Sequence, residues 1–168
     1  MFVPFTLFHL GPSLALGLPL RRKLHLPTFL VASVAVDVEP FLVFLFGLDY
    51  PLHGYLHTFL LALPYGVMIG YIMFLFERYL GDLWHAVLLE EGFSSKSPFI
   101  VGGVFGTISH VLLDAPLYSD IRPFYPLGVN PIYDPSVTEA IYAFCAVSFL
   151  MGIVEHFLIL ARGAKGVK

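Results

Sequence analysis

The stretch "GTISHVLLDAP", residues 106–116, closes an apolar run that begins near residue 98 and places His110 and Asp114 four positions apart. On a helix that spacing brings both side chains to one face. An imidazole and a carboxylate inside an apolar segment are costly unless they meet other polar groups away from lipid. The reading of the fold therefore turns on how many other segments resemble this one.

Most of the chain does. Of 168 residues, 58% are hydrophobic and 12% charged, with a mean hydropathy of +0.83. A soluble domain carries about a quarter charged residues, so the composition predicts a polytopic membrane protein forming one integral-membrane domain over 1–168. A crossing helix needs roughly 20 mostly apolar residues. Five stretches qualify, at about 2–20, 27–47, 55–77, 98–118 and 137–161. The segment "LGDLWHAVLLEEG", residues 80–92, is too short and too acidic to cross and reads as an amphipathic helix at the interface. The expected fold is thus an all-α polytopic membrane helical bundle of about five transmembrane helices, with an interfacial helix near 80–92.

Charge sets the expected orientation. With five spans, Arg21, Arg22, Lys23, Arg78, Lys96, Arg162, Lys165 and Lys168 share one side, and Arg122 alone lies on the other. The positive-inside rule makes the first side cytoplasmic. The expectation is a cell-membrane protein with its N-terminus outside and its C-terminus in the cytoplasm. The basic cluster follows the first apolar stretch instead of preceding it, so that stretch is expected to be a retained helix. A net charge of −3 without a basic tract argues against a nucleic acid partner. The lone Cys145 excludes an internal disulfide or a thiolate cluster and reads as a small packing residue. The outer loop "SDIRPFYPLGVNPIYDP", residues 119–135, is stiffened by proline and suits a rim or lid.

Ionisable residues recur within the predicted spans: His9, Asp37, Glu39, His57, His110, Asp114, Glu155 and His156, with His53 just ahead of the third span. Glu77 and Arg78 fall at the inner interface, where water accounts for them. Glu155 and His156 read as a pair to a neighbouring helix. The rest form a pattern. "HGYLH", residues 53–57, repeats the four-residue spacing of His110 and Asp114. Two such pairs, together with His9 and Asp37 and without thiolates, make a nitrogen and oxygen ligand set suited to zinc, manganese or iron. The competing reading is a set of polar pairs that only hold helices together.

All six lie on the outer side of the midplane, but at uneven heights. Asp37 and His57 would differ by roughly 15 Å on upright helices. Either the third span begins deeper, or the site is a tilted, water-filled funnel. Pro12 and Pro40 deny helical donors to the carbonyls of Phe8 and Val36, so the backbone beside His9 and Asp37 is expected to unwind locally.

Taken in order, "PFTLFHLGPSLALGLPLRRKL", "ASVAVDVEPFL", "HGYLHTF", "GTISHVLLDAP" and "DIRPFYPLGVNP" resemble the motifs of a prokaryotic family of small membrane proteins. That family is related to the YdjM-like membrane-bound metal-dependent hydrolases. The resemblance covers roughly residues 3–65 and 103–131. It implies a metal site of His9, Asp37, His53, His57, His110 and Asp114, with Glu39, Asp120 and Arg122 as accessory positions. Gly54 stands where the YdjM-like members have arginine, and Thr58 where they have serine. The order of ligands is also similar to that of zinc-dependent phospholipase C, but the further H-x-x-x-E pair of those enzymes has no counterpart here. One or two divalent ions are therefore expected, zinc first and manganese or iron next.

The function so implied is hydrolysis of an ester or phosphoester, lipid-like in character, at the outer side of the bilayer. A metal in such a site lowers the pKa of the water it binds to about 7. Glu39 or Asp120 is expected as general base, and Arg122 as the group that neutralises developing negative charge. Phe124 and Tyr125 would supply an apolar rim. The alternative is a non-enzymatic metal-binding or ion-conducting membrane protein. No H-E-x-x-H occurs, and no G-x-S-x-G nucleophile elbow.

Overall fold

The computed structural model describes residues 6–87 and 92–165, and among these there is no strand. Six α-helices follow one another: α1 Leu10–Leu20, α2 Leu26–Ala35, α3 Val38–Phe46, α4 Phe59–Ala86, α5 Ser97–Asp114 and α6 Thr138–Lys165. Short 3-10 turns at Thr6–His9, Tyr55–His57 and Pro135–Val137 lead into α1, α4 and α6. Four runs are long and apolar enough to cross a membrane: Leu26–Phe46, Phe59–Trp84, Ser97–Asp114 and Pro135–Arg162. The molecule is a helical membrane bundle.

Two expectations need adjustment. The first apolar stretch carries a shorter helical run, Leu7–Leu20, with residues 1–5 outside the described part. Residues 80–86 are the last turns of α4, not a separate interfacial helix, and the stretch 88–91 lies outside the described residues. No proline interrupts "FERYLGDLWHA", and the single Gly81 weakens a helix by only about 1 kcal/mol, so α4 runs on.

α5 is the centre of the bundle. It packs between α4 on one side and α2 on the other; α1 joins α2, and α6 covers α1. Small residues permit this. A Cβ on Gly103 would strike the Gly66 carbonyl of α4, while one on Gly106 would come within 2.7 Å of the Phe29 carbonyl of α2. Backbones in lipid approach most closely through such small-residue faces, since apolar area alone gives little drive between helices. Thr107, also on α5, donates to the Ala62 carbonyl at 2.7 Å and ties α5 to α4 at the same level. Phe29, Phe99, Leu18 and Leu26 fill the core, while many other large apolar side chains, among them Leu60, Phe76, Phe144, Phe149 and Phe157, are exposed on the bundle exterior, as lipid-facing surfaces are.

The depth of each site residue follows from one tie. At the basic end, the His25 N–H donates to the Pro98 carbonyl at 3.0 Å, which fixes the start of α2 beside the start of α5. Asp37 stands twelve residues beyond His25 and His110 twelve beyond Pro98. Both therefore lie about 18 Å from that end.

The helix breaks at this depth. Asp37 N–H and Glu39 N–H reach back only three residues, to Val34 and Val36, at 3.2 Å each. The chain then continues as α3, ends on left-handed Gly47 (φ 58°) and folds back. The returning segment carries His57 into the bundle, where it is fully buried. The third span thus begins at Phe59, deeper than an apolar count suggests, and this resolves the height mismatch between Asp37 and His57. The loop over residues 119–135 is pinned over the end of α5 by Asn130, which donates to the carbonyls of Ala115 and Tyr118 at 2.7 and 3.0 Å.

Candidate metal centre

Asp37, His57, His110 and Asp114 converge in the interior, each offering one ligand atom within 4.8 Å of all the others. All four are buried. They come from the α2–α3 break, the 3-10 turn before α4, and two successive turns of α5. His110 and Asp114 meet because α5 is regular there: His110 Nε2 lies 3.3 Å from Asp114 Oδ2. Asp37 Oδ1 is 3.4 Å from His110 Nε2 and 3.8 Å from His57 Nε2. Asp114 Oδ2 is 4.0 Å from His57 Nε2.

The partners behind the imidazoles decide which nitrogen faces inward. His110 Nδ1 lies 2.7 Å from the Ser33 carbonyl, and His57 Nδ1 lies 3.1 Å from Glu39 Oε2. A carbonyl and a carboxylate only accept, so both Nδ1 atoms carry the proton. Each ring then presents Nε2 to the cluster, and the two Nε2 atoms are 3.3 Å apart. In neutral rings these are facing lone pairs. Something positive between them removes the conflict, either a proton or a metal ion. Zinc–nitrogen bonds of about 2.0–2.1 Å in a tetrahedron put two ligands ~3.3 Å apart. The carboxylates add to the case: both oxygens of Asp37 and Oδ2 of Asp114 are buried without a hydrogen bond among the described residues. Orphaned acceptors beside opposed imidazole nitrogens are the donor set a divalent cation requires.

The backing groups have sequence causes. The 3-10 turn ahead of Pro40 takes Asp37 N–H to Val34, which leaves the Ser33 carbonyl for His110. Glu39 is held by Tyr50, whose hydroxyl donates to Oε1 at 3.1 Å, and by the Leu56 N–H, which donates to both oxygens at 3.2 and 3.1 Å. Such outer partners fix a ligand's tautomer and orientation. Ser33 and Tyr50 carry no sequence signal of this role, since one acts through its backbone and the other from a loop.

The remaining expected residues surround this centre without joining it. His9 stacks on His110 with ring centroids 4.0 Å apart and sets Nε2 at 3.3 Å from Asp114 Oδ1, behind that carboxylate. His53 belongs to a neighbouring pair. Its backbone N–H donates to Asp120 Oδ2 at 3.2 Å, and its Nδ1 faces both Asp120 oxygens at 3.0 and 3.1 Å. Burial works to raise the Asp120 pKa, but the hydrogen bonds from His53 outweigh it and hold the carboxyl below its ordinary range. His53 Nε2 is buried without a hydrogen bond, and its ring lies edge-on to His57 at 4.8 Å and tilted against Tyr118 at 4.3 Å.

Glu39 and Asp120, expected as bases, thus each spend their oxygens on an imidazole Nδ1 and neighbouring donors. Arg122 is exposed and lines a cavity of about 450 Å³ at the end of the bundle opposite the basic residues, together with His53, Asp120, Ser119 and the tyrosines Tyr50, Tyr55 and Tyr125. His53 forms the boundary between this cavity and the buried cluster.

No family model, no curated protein and no solved structure matches this chain.

Proposed function

We propose that the chain is a metal-dependent hydrolase of the cell membrane, related to the YdjM-like membrane proteins and acting on an ester or phosphoester, lipid-like in character, at the outer side. The observation that supports this reading is the pair of Nε2 atoms opposed at 3.3 Å beside oxygens of Asp37 and Asp114 that accept no hydrogen bond among the described residues. Asp37, His57, His110 and Asp114 would hold a divalent ion, zinc before manganese or iron, because the donors are nitrogen and oxygen only. Such an ion supplies Lewis acidity and a water acidified to a pKa of about 7.

The protein's own groups do the rest. Glu39 and the Ser33 carbonyl fix the tautomers of His57 and His110. His9 braces Asp114. Asp37 would hold the ion and supply carboxylate oxygen as a proton acceptor beside the reacting atoms. Arg122 offers positive charge where negative charge develops. The basic residues collect at the end of the bundle opposite the cavity, and the positive-inside rule supports a cavity on the outer side. The test is turnover of a phosphodiester reporter by purified, metal-loaded protein, lost in His110→Ala and on chelation.

A second reading rests on the count of ligands. Four protein ligands close a tetrahedral zinc shell, as in structural sites, whereas hydrolytic sites keep a position for water. A bound metal with no turnover of any ester or phosphoester would favour that non-enzymatic, metal-binding role.

A further inference from the structure

The outer cavity has a donor-rich character that the metal centre does not use. At about 450 Å³ it falls within the range of small-molecule sites. The Arg122 guanidinium has no hydrogen-bond or ion-pair partner among the described residues, and neither do the side-chain hydroxyls of Ser119, Tyr55 and Tyr125. The carboxylate in the wall, Asp120, is already engaged through both oxygens by His53. Unspent donors therefore face a spent acceptor. Tyr55 and Tyr125, packed edge to face with centroids 5.3 Å apart, make one wall aromatic.

We propose that this cavity binds a phosphate group, with Arg122 as its anchor. A guanidinium grips phosphate oxygens through two parallel N–H bonds, and the three hydroxyls supply further donors to the remaining oxygens. A cation would meet the opposite arrangement, an unpaired positive charge and a carboxylate already taken. The location adds meaning. His53 both lines the cavity and packs edge-on to His57, so one imidazole ring separates the cavity from the candidate metal centre. The choice of a phosphoester over a neutral ester as substrate rests on the hydrolase reading; binding of the phosphate group does not.

The source of the phosphate is either a free anion or a lipid headgroup, and the test separates them. Full-length protein in phosphatidylcholine nanodiscs is titrated with inorganic phosphate by calorimetry, and the same protein is assayed for retention of phosphatidic acid over phosphatidylcholine. Bound metal is measured in parallel. Arg122→Gln, at an exposed position, is expected to weaken phosphate binding roughly tenfold or more with metal content unchanged, as suits loss of a charge-assisted contact. Arg122→Lys restores part of it. Arg122-dependent retention of phosphatidic acid without binding of free phosphate also supports the proposal and assigns a lipid headgroup. Arg122-dependent phosphate binding by protein that holds no metal leaves the proposal standing and removes the hydrolase reading. Binding unaffected by Arg122→Gln, or no binding of either probe, overturns it.

Discussion

Glu39 holds His57 from behind: Oε2 lies 3.1 Å from Nδ1 while the opposite nitrogen, Nε2, faces His110 at 3.3 Å. The carboxylate thus acts on the candidate metal centre through an imidazole and is itself fixed by Tyr50 and the Leu56 N–H. Removing an outer partner of this kind costs about 10–100-fold in metal affinity. Glu39→Ala is expected to weaken metal binding by that order, while Glu39→Gln, which keeps an acceptor oxygen toward Nδ1, loses less. Competition against a chelator of known affinity measures both. Equal, wild-type affinity in the two variants would separate Glu39 from the centre.

The buried cluster and the histidine at the opposite end of α2 are expected to respond differently. His57→Ala, His110→Ala and Asp114→Ala should each lower bound metal. His25 is also fully buried, but it caps α2 by accepting from the Thr28 N–H at 3.3 Å, well away from the cluster. His25→Ala should cost about 2–4 kcal/mol, through the lost N-cap and the lost packing on Phe99, and leave metal content intact. Elemental analysis together with thermal denaturation distinguishes the two behaviours; loss of metal in His25→Ala alone would contradict the assignment.

Helix approach should control the site from outside it. A methyl on Gly103 would strike the Gly66 carbonyl and push α5 from α4, while one on Gly128 meets nothing within 4 Å. Gly103→Ala is expected to destabilise by about 1–3 kcal/mol through overpacking and to weaken metal binding, because His110 rides on α5 and His57 precedes α4. Gly128→Ala should be close to neutral. A neutral Gly103→Ala would show that the close approach is not needed.

Much of the bundle was legible because lipid imposes simple demands. Long apolar runs marked the helices, and regular α5 geometry made the His110–Asp114 relation readable from spacing. The meeting of His57 with Asp37 was expected from the ligand set, but the path that brings them to one depth was not legible. It depends on α3 running past the site and the segment 47–57 folding back, a path set by a left-handed Gly47 and by Glu39 gripping Leu56. Neither has a periodic signature. The contacts of Glu39 and Asp120 were hidden for a related reason: spacing places a carboxylate near a site but does not tell whether it faces the cluster or the back of an imidazole. The α4 extension through Ala86 escaped because acidic residues at a helix end read as an interface, whereas the backbone had no reason to stop.

The proposed orientation rests on the segregation of basic residues and is open to labelling. In a Cys145→Ala background, Tyr125→Cys should react with an impermeant reagent from outside, and Ser95→Cys only after the cytoplasmic face is opened. Tyr125 and Ser95 are both exposed, so reagent access is set by the membrane. The reverse pattern would move the cavity to the cytoplasmic side.

The most direct measurement of the central claim is the coordination of the metal itself. Protein purified from metal-replete cells without chelators should contain a divalent ion in stoichiometric amount, and X-ray absorption should find two imidazole nitrogens with carboxylate oxygens at about 2.0–2.2 Å if the ion is zinc. His57→Ala and His110→Ala should each remove one imidazole contribution or the ion altogether. A protein that stays free of metal under zinc, manganese and iron supplementation, with His57 and His110 sharing a proton between their Nε2 atoms, would contradict the account.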